Sequence, residues 1–180
     1  MNAKFIDEVR KLGGLSDEDQ KLLADMRPAM ERQAPAIVAA FYDNLQQNER
    51  AYEILNAEPG RVDRLKGHLT HWLYSLVEGN YGDDYFDKRY RIGHRHVEVG
   101  LEPRYVIAAM MWCRIKASEL MSAEYADDPD AAHRMAALSK AMDLDLNIML
   151  QSYDDKRVEQ FLEVTGFSKV LFENMLSGGG

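Results

Sequence analysis

The 180-residue chain contains a single cysteine, Cys113, so no internal disulfide framework can form, which fits a reducing compartment. Long apolar runs are also missing. The longest uninterrupted one, Tyr105 to Cys113, is far too short to span a bilayer as a helix. Residues 1–14 lack the apolar core of a signal peptide, so a cytoplasmic location is expected. There is no excess of positive charge. The formal net charge of −8 argues against nucleic acid and against an anionic membrane as the main partner. No stretch alternates β-branched with polar residues, which leaves no candidate sheet. No glycine-rich phosphate loop or nucleophile elbow is present either, so the domain itself is not expected to be an enzyme.

What remains is a helical pattern in a chain that is 46% hydrophobic, enough for one domain with a sizeable core. Proline and glycine are sparse and punctuate it. A first helix is predicted from Asn2 to Leu12, stopped at Gly13-Gly14. Ser16 with Asp19 reads as a helix start, and Pro28 as a bend or a new start. Ile37, Val38, Phe41 and Leu45 give one apolar face, with Tyr42 beside it. A short helix spans Glu49 to Leu55. From Arg61 to Glu78, Val62, Leu65, Leu69, Trp72, Leu73 and Leu76 form a continuous stripe. A helix over Tyr85–Val99 stops at Gly100, and Pro103 opens another that is apolar on all sides. Such a helix calls for cover on both faces, hence a subunit contact. The last helical region begins at Asp128-Pro129. Its repeat of Met135, Leu138, Met142, Leu146, Met149 and Tyr153 suits helix–helix packing. The pattern continues past Asp155 to Leu171, and Ser177–Gly180 reads as a linker. All-α architecture follows.

Among reactive groups, Cys113 sits in the most apolar run and reads as an inert core thiol. His94 and His96 are two apart and point in different directions from a regular helix. His68 and His71 have no Cys or carboxylate cluster to complete a zinc set. Taken alone, His96 has two readings: an ordinary residue near a helix end, or an imidazole ligand in an apolar cleft. Periodicity does not separate them.

The segment Ile92-Gly93-His94-Arg95-His96-Val97-Glu98-Val99-Gly100-Leu101-Glu102-Pro103 resembles the proximal signature of the globin-coupled sensor family, I-G-x-x-H-x-x-x-G-L-x-P. Ala39–Leu45 looks like the family's F-Y-D-x-L. Arg64-Leu65-Lys66 with Trp72-Leu73 looks like its distal helix, and Leu15–Asp19 like its entry segment. The resemblance covers roughly residues 10–155. It implies a globin fold with an extra N-terminal helix and a long C-terminal helix. Haem b would lie between the distal and proximal helices, with His96 as the proximal iron ligand. Phe41, Tyr42, Leu65, Leu69 and Trp72 would line the cofactor. Tyr42 would donate a hydrogen bond to the bound gas, and Leu65 and Leu69 would wall the distal side. His94 falls at a variable position and His68 beside the stripe.

By the same resemblance, residues 1–155 form the sensor domain. Residues 156–180 form a helical extension and linker toward an output domain, a diguanylate cyclase foremost, which would make a full-length protein an enzyme. The gas is oxygen, carbon monoxide or nitric oxide, and a homodimer forms through the helices starting near Pro103 and Asp128, burying Met110, Met111, Met142 and Met149. Family members often carry a Trp-Tyr pair where this chain has Tyr105 and Val106, so a switch copied from them does not transfer. The alternatives are a haem-free globin-like signalling module and a stand-alone haem enzyme such as a dioxygenase or peroxidase.

Overall fold

The structure is a computed structural model that describes residues 2–178, without the side chains of residues 2–4 and 6. Met1 of the expected sensor domain and Gly179 and Gly180 of the expected linker lie outside the described residues. All regular structure among the described residues is helical, as the pattern predicts. The helices are α1 (Asn2–Gly13), α2 (Asp17–Asp25), α3 (Arg27–Leu45), α4 (Glu49–Leu55), α5 (Arg61–Leu76), α6 (Asp83–Glu98), α7 (Pro103–Glu124), α8 (Ala131–Thr165) and α9 (Lys169–Ser177). No helix among them is long and apolar enough to cross a membrane.

Helix boundaries follow local chemistry. Ser16 and Asp19 form a complete capping box on α2. The Asp19 amide donates to Ser16 Oγ at 3.1 Å, and the Ser16 amide donates to the Asp19 carboxylate at 2.7 Å. Pro28 lies in the first turn of α3, where its missing N–H costs nothing. Pro35 sits inside the same helix without ending it, a point the punctuation reading did not anticipate. Gly166 closes α8 with φ of 71°.

The long helix α8 is the spine. Ala137, Leu138, Ala141, Met142, Leu144, Ile148, Met149 and Tyr153 are buried on it, and it packs against α2, α6 and α7. Burying one such large side chain fully is worth roughly 1.5–3 kcal/mol. Helix α5 packs chiefly on α3, whereas α6 packs chiefly on α8.

One expectation needs correction, that of the methionines assigned to a subunit contact. Helix α7 is covered on one side only: Val106, Met110, Cys113, Ala117 and Met121 are buried, while Ile107, Met111 and Ile115 are exposed. Of the four methionines expected between subunits, Met110, Met142 and Met149 lie in this chain's own core, and only Met111 is exposed. The composition of α7 registered that apolar side chains line it all round. It could not say which of them the chain's own helices would take.

α6 lies tightly against α8 at Gly93. A Cβ there would overlap the Ser152 hydroxyl of α8 and come within 2.8 Å of the Met149 carbonyl oxygen. In an open helix interior Gly→Ala is stabilising by up to about 1 kcal/mol. Here the sign reverses, because α6 has to lift off α8. Gly93→Ala is expected to destabilise the chain by roughly 1–3 kcal/mol, the usual range for overpacking, measured as a lowered urea midpoint at unchanged m-value.

Candidate functional site

The twelve-residue segment singled out above forms the end of α6 and the turn into α7, and each of its fixed positions has a physical task. Gly93 lets α6 lie against α8. Gly100 adopts φ of 70°, which favours glycine. Its amide donates to the Val97 carbonyl and the Leu101 amide to the His96 carbonyl, both at 2.9 Å. That pair of bonds is a Schellman motif, which stops the helix one turn after His96. Pro103 then starts α7 at a position that needs no donor. From α8, the Tyr153 hydroxyl donates to the Leu101 carbonyl at 2.6 Å and pins the turn. His96 is therefore held from both sides, by the glycine contact one turn before it and by the capped turn after it.

His96 is half-buried, and its Nδ1 is buried without a hydrogen-bond partner. The second-nitrogen acceptor that a ligating histidine usually has is not supplied by any described residue. Burial pushes the ring down from its ordinary value to about 4, so it is neutral at pH 7, the form that binds a metal. His94 points elsewhere. Its ring packs on Tyr90 with centroids 4.7 Å apart, and its Nε2 is likewise buried and unpartnered. His68, His71 and His133 are exposed. Among the described residues no group of three or more His, Cys, Asp or Glu side chains converges as a metal site would require.

The other sequence-predicted residues lie on α3 and α5. Tyr42 is buried on α3. Burial alone raises its hydroxyl above the ordinary range, and that hydroxyl has no hydrogen-bond partner among the described residues. The other buried tyrosines, and the half-buried Tyr90, behave differently. Tyr81 donates to the Leu76 carbonyl, Tyr85 to Asp145, Tyr90 to Asp155 and Tyr153 to the Leu101 carbonyl. Phe41 lies between Tyr42 and Trp112, with ring centroids 5.4 and 6.0 Å away. Leu65, Leu69 and Trp72 are half-buried on one stripe of α5, which packs against α3.

Haem b asks for one neutral imidazole at the edge of an apolar slot. The residues present fit that demand in kind: a half-buried neutral imidazole with no hydrogen bond on either ring nitrogen, half-buried apolar side chains on α5, and the unpartnered Tyr42 hydroxyl on α3.

A polar knot went unread in the sequence. Asp145 of α8 is fully buried and accepts hydrogen bonds from Trp72 of α5 and from Tyr85 and Arg89 of α6. Burial pushes its carboxyl up, while Arg89 and the other donors oppose that. The net direction is upward, with burial outweighing the donors that favour the carboxylate. A signal did exist. Asp145 lies three residues after Met142 and four before Met149, on the stripe read as packing surface. An acid in such a seam requires a buried partner.

The Protoglobin family profile matches residues 2–159. The chain is 31% identical to the globin domain of the Geobacter sulfurreducens globin-coupled sensor; the structures superpose with a TM-score of 0.76 over 82% of this chain and 96% of that one. The globin domain of E. coli DosC has the same fold, with a TM-score of 0.66 over 81% of this chain and 97% of that one, at 14% identity. The heme-based aerotactic transducer HemAT of Halobacterium salinarum is 33% identical over 96 residues, 53% of this chain and 20% of that protein's length. The chain thus matches about a fifth of that relative.

The depressed His96 basicity has a sign that can be checked on the haem-free chain. Between about pH 6.5, where an unfolded histidine titrates, and about pH 4, the unfolded state binds the extra proton. Stability is therefore expected to fall as pH drops through that window, with no contribution from this ring above it. The fall should be smaller in His96→Leu, as read from urea midpoints at each pH.

Proposed function

This chain belongs to the protoglobin family and is a globin domain related to the globin-coupled sensors; from that premise we propose that it is a haem-based sensor of oxygen or a similar diatomic gas, regulating a covalently linked output domain. One observation carries the reading: the signature histidine, His96, is a half-buried neutral imidazole neither of whose ring nitrogens is hydrogen-bonded within the described residues.

His96 would hold the iron of haem b, and Phe41, Leu65, Leu69 and Trp72 would line the porphyrin. Haem, when bound, supplies an iron with an open position for oxygen, carbon monoxide or nitric oxide. The chain's own residues set what happens around that position. Leu65 and Leu69 exclude water from the distal side. Tyr42 holds a gas molecule by donating its proton, and it pays no penalty for releasing another acceptor, since its hydroxyl has none. Because the Schellman turn and Tyr153 fix the end of α6, a shift of His96 is transmitted to α7 and α8 rather than dissipated in a loose turn.

In this reading residues 1–155 are the sensor and residues 156–180 the connector to the output domain, a diguanylate cyclase foremost. α8 runs unbroken across residue 155, so the connector is a direct extension of the sensor's spine. The domain itself acts as a sensor rather than a catalyst. Two copies pair through α7 and α8, with Ile107, Met111 and Ile115 supplying the apolar face on α7.

Absorption spectra of the purified chain test the central point. The parent is expected to bind haem with a stable Soret band and a five-coordinate ferrous form, and His96→Ala to lose most of it. A parent that stays colourless after haemin is added would leave the haem-free signalling module as the better account; turnover with peroxide or nitric oxide would favour the enzyme. For the distal side, Tyr42→Phe should release oxygen or autoxidise about tenfold faster, the lower end for a hydrogen bond to a charged acceptor at roughly 1.5–3 kcal/mol. Unchanged stopped-flow and autoxidation rates would remove Tyr42 from the site.

A further inference from the structure

Three helices meet on one side chain. The Asp145 carboxylate of α8 accepts from the Trp72 indole N–H of α5, and from the Tyr85 hydroxyl and Arg89 Nε of α6, the last at 3.0 Å. Arg89 also bridges directly back to α5, where its Nη2 donates to Ser75 Oγ at 2.7 Å; Ser75 in turn donates to the Trp72 carbonyl at 2.6 Å. The Arg89 guanidinium lies over the Tyr85 ring, 3.8 Å from its centroid, so its free face is occupied as well. Asp145 and Arg89 are both buried.

The position of this knot matters more than its strength. Helices α5 and α6 are consecutive, joined by residues 77–82, and the knot lies near that connection, at Trp72 and Ser75 on one helix and Arg89 on the other. Going back along α5 from Ser75, Leu69 and Leu65 lie about 9 and 15 Å away along the axis; going forward along α6 from Arg89, His96 lies about 10 Å away. Arg89 and His96 are seven residues, two turns, apart and share a helix face. Trp72 and Leu69 likewise belong to one stripe. In the haem-sensor reading the distal wall and the ligand histidine therefore lie on two consecutive helices that are tied to α8 near the connection between them.

We infer that Asp145 is a positioning residue that sets the opening between α5 and α6 and couples movement of α5, through Trp72, to α8. The inference rests on the haem-sensor reading, since it assigns α5 to the gas side. Trp72 touches both parties: its side chain belongs to the distal stripe, and its N–H is committed to the helix that leads out of the domain. No backbone path of comparable directness joins them, because α5 and α8 are separated in sequence by the whole of α6 and α7. A gas-dependent tilt of α5 changes the Trp72–Asp145 bond first and the α8 backbone next.

Hydrogen exchange of backbone amides 141–153 tests this, in the haem-loaded chain with and without carbon monoxide. In the parent, exchange in that stretch is expected to differ between the two forms by at least about fivefold, the lower end for coupled sites. Trp72→Phe removes the α5 donor while leaving Arg89 on Asp145, and Asp145→Asn disturbs the hub itself. Each is expected to lose the gas-dependent difference, and either variant suffices if the other does not fold. Tyr85→Phe is the control, for it removes a hydrogen bond from the same carboxylate without touching α5. A purely structural role would weaken all three alike, whereas the coupling role leaves the difference intact in Tyr85→Phe. A parent with no gas-dependent difference at 141–153, or a difference that survives in Trp72→Phe or Asp145→Asn, would overturn the inference while leaving the sensor reading standing. A parent that takes up no haem would overturn both.

Discussion

The contact between α6 and α8 at Gly93 governs this protein. With no side chain at that position, the two helices approach until the Ser152 hydroxyl and the Met149 carbonyl fill the space a Cβ would need. The His96 ring is half-buried, with a buried, unpartnered Nδ1, and that burial keeps it neutral. The capped turn and the Tyr153 bond then fix the helix end, leaving the imidazole little freedom to wander. A ligand to a metal benefits from such restraint, because the cost of ordering it has been met on folding.

A second constraint complements the first. Burying the Arg89–Asp145 pair is expensive in isolation, and breaking such a pair by removing one partner typically costs about 3–5 kcal/mol. The chain meets that cost by saturating the carboxylate with donors from two helices. The result is a fold with two regimes: a polar, fully satisfied pivot where α5, α6 and α8 meet, and apolar half-buried arms beyond it carrying Leu65, Leu69 and His96. In the proposed sensor, a rigid pivot would let the arms respond to a small ligand.

α8 runs unbroken across residue 155, and α7 is covered on one side only. Met110, Met142 and Met149 are taken up by the internal core, so the apolar surface left on α7 is the narrower face of Ile107, Met111 and Ile115. Reading those four methionines as one interface fails for a simple reason: helical spacing shows that residues share a stripe, but not whether the neighbour covering it belongs to the same chain.

Local physics alone determined much of this molecule. Apolar periodicity and turn residues located the helices, including Glu49–Leu55 to the residue and the Ser16–Asp19 box, because caps and amphipathic faces depend on neighbours three and four positions away. The spacing of Gly93, His96, Gly100, Leu101 and Pro103 was legible as a pattern for the same reason. What each member does was not: the φ of Gly100 is local, but the clearance at Gly93 depends on a residue 59 positions later, Ser152. The Asp145 knot joins residues 56 to 73 positions apart. Only the folded chain decides which polar groups are buried together, which tyrosine is left with a free hydroxyl and which side of α7 stays uncovered, since each depends on the packing of helices distant in sequence.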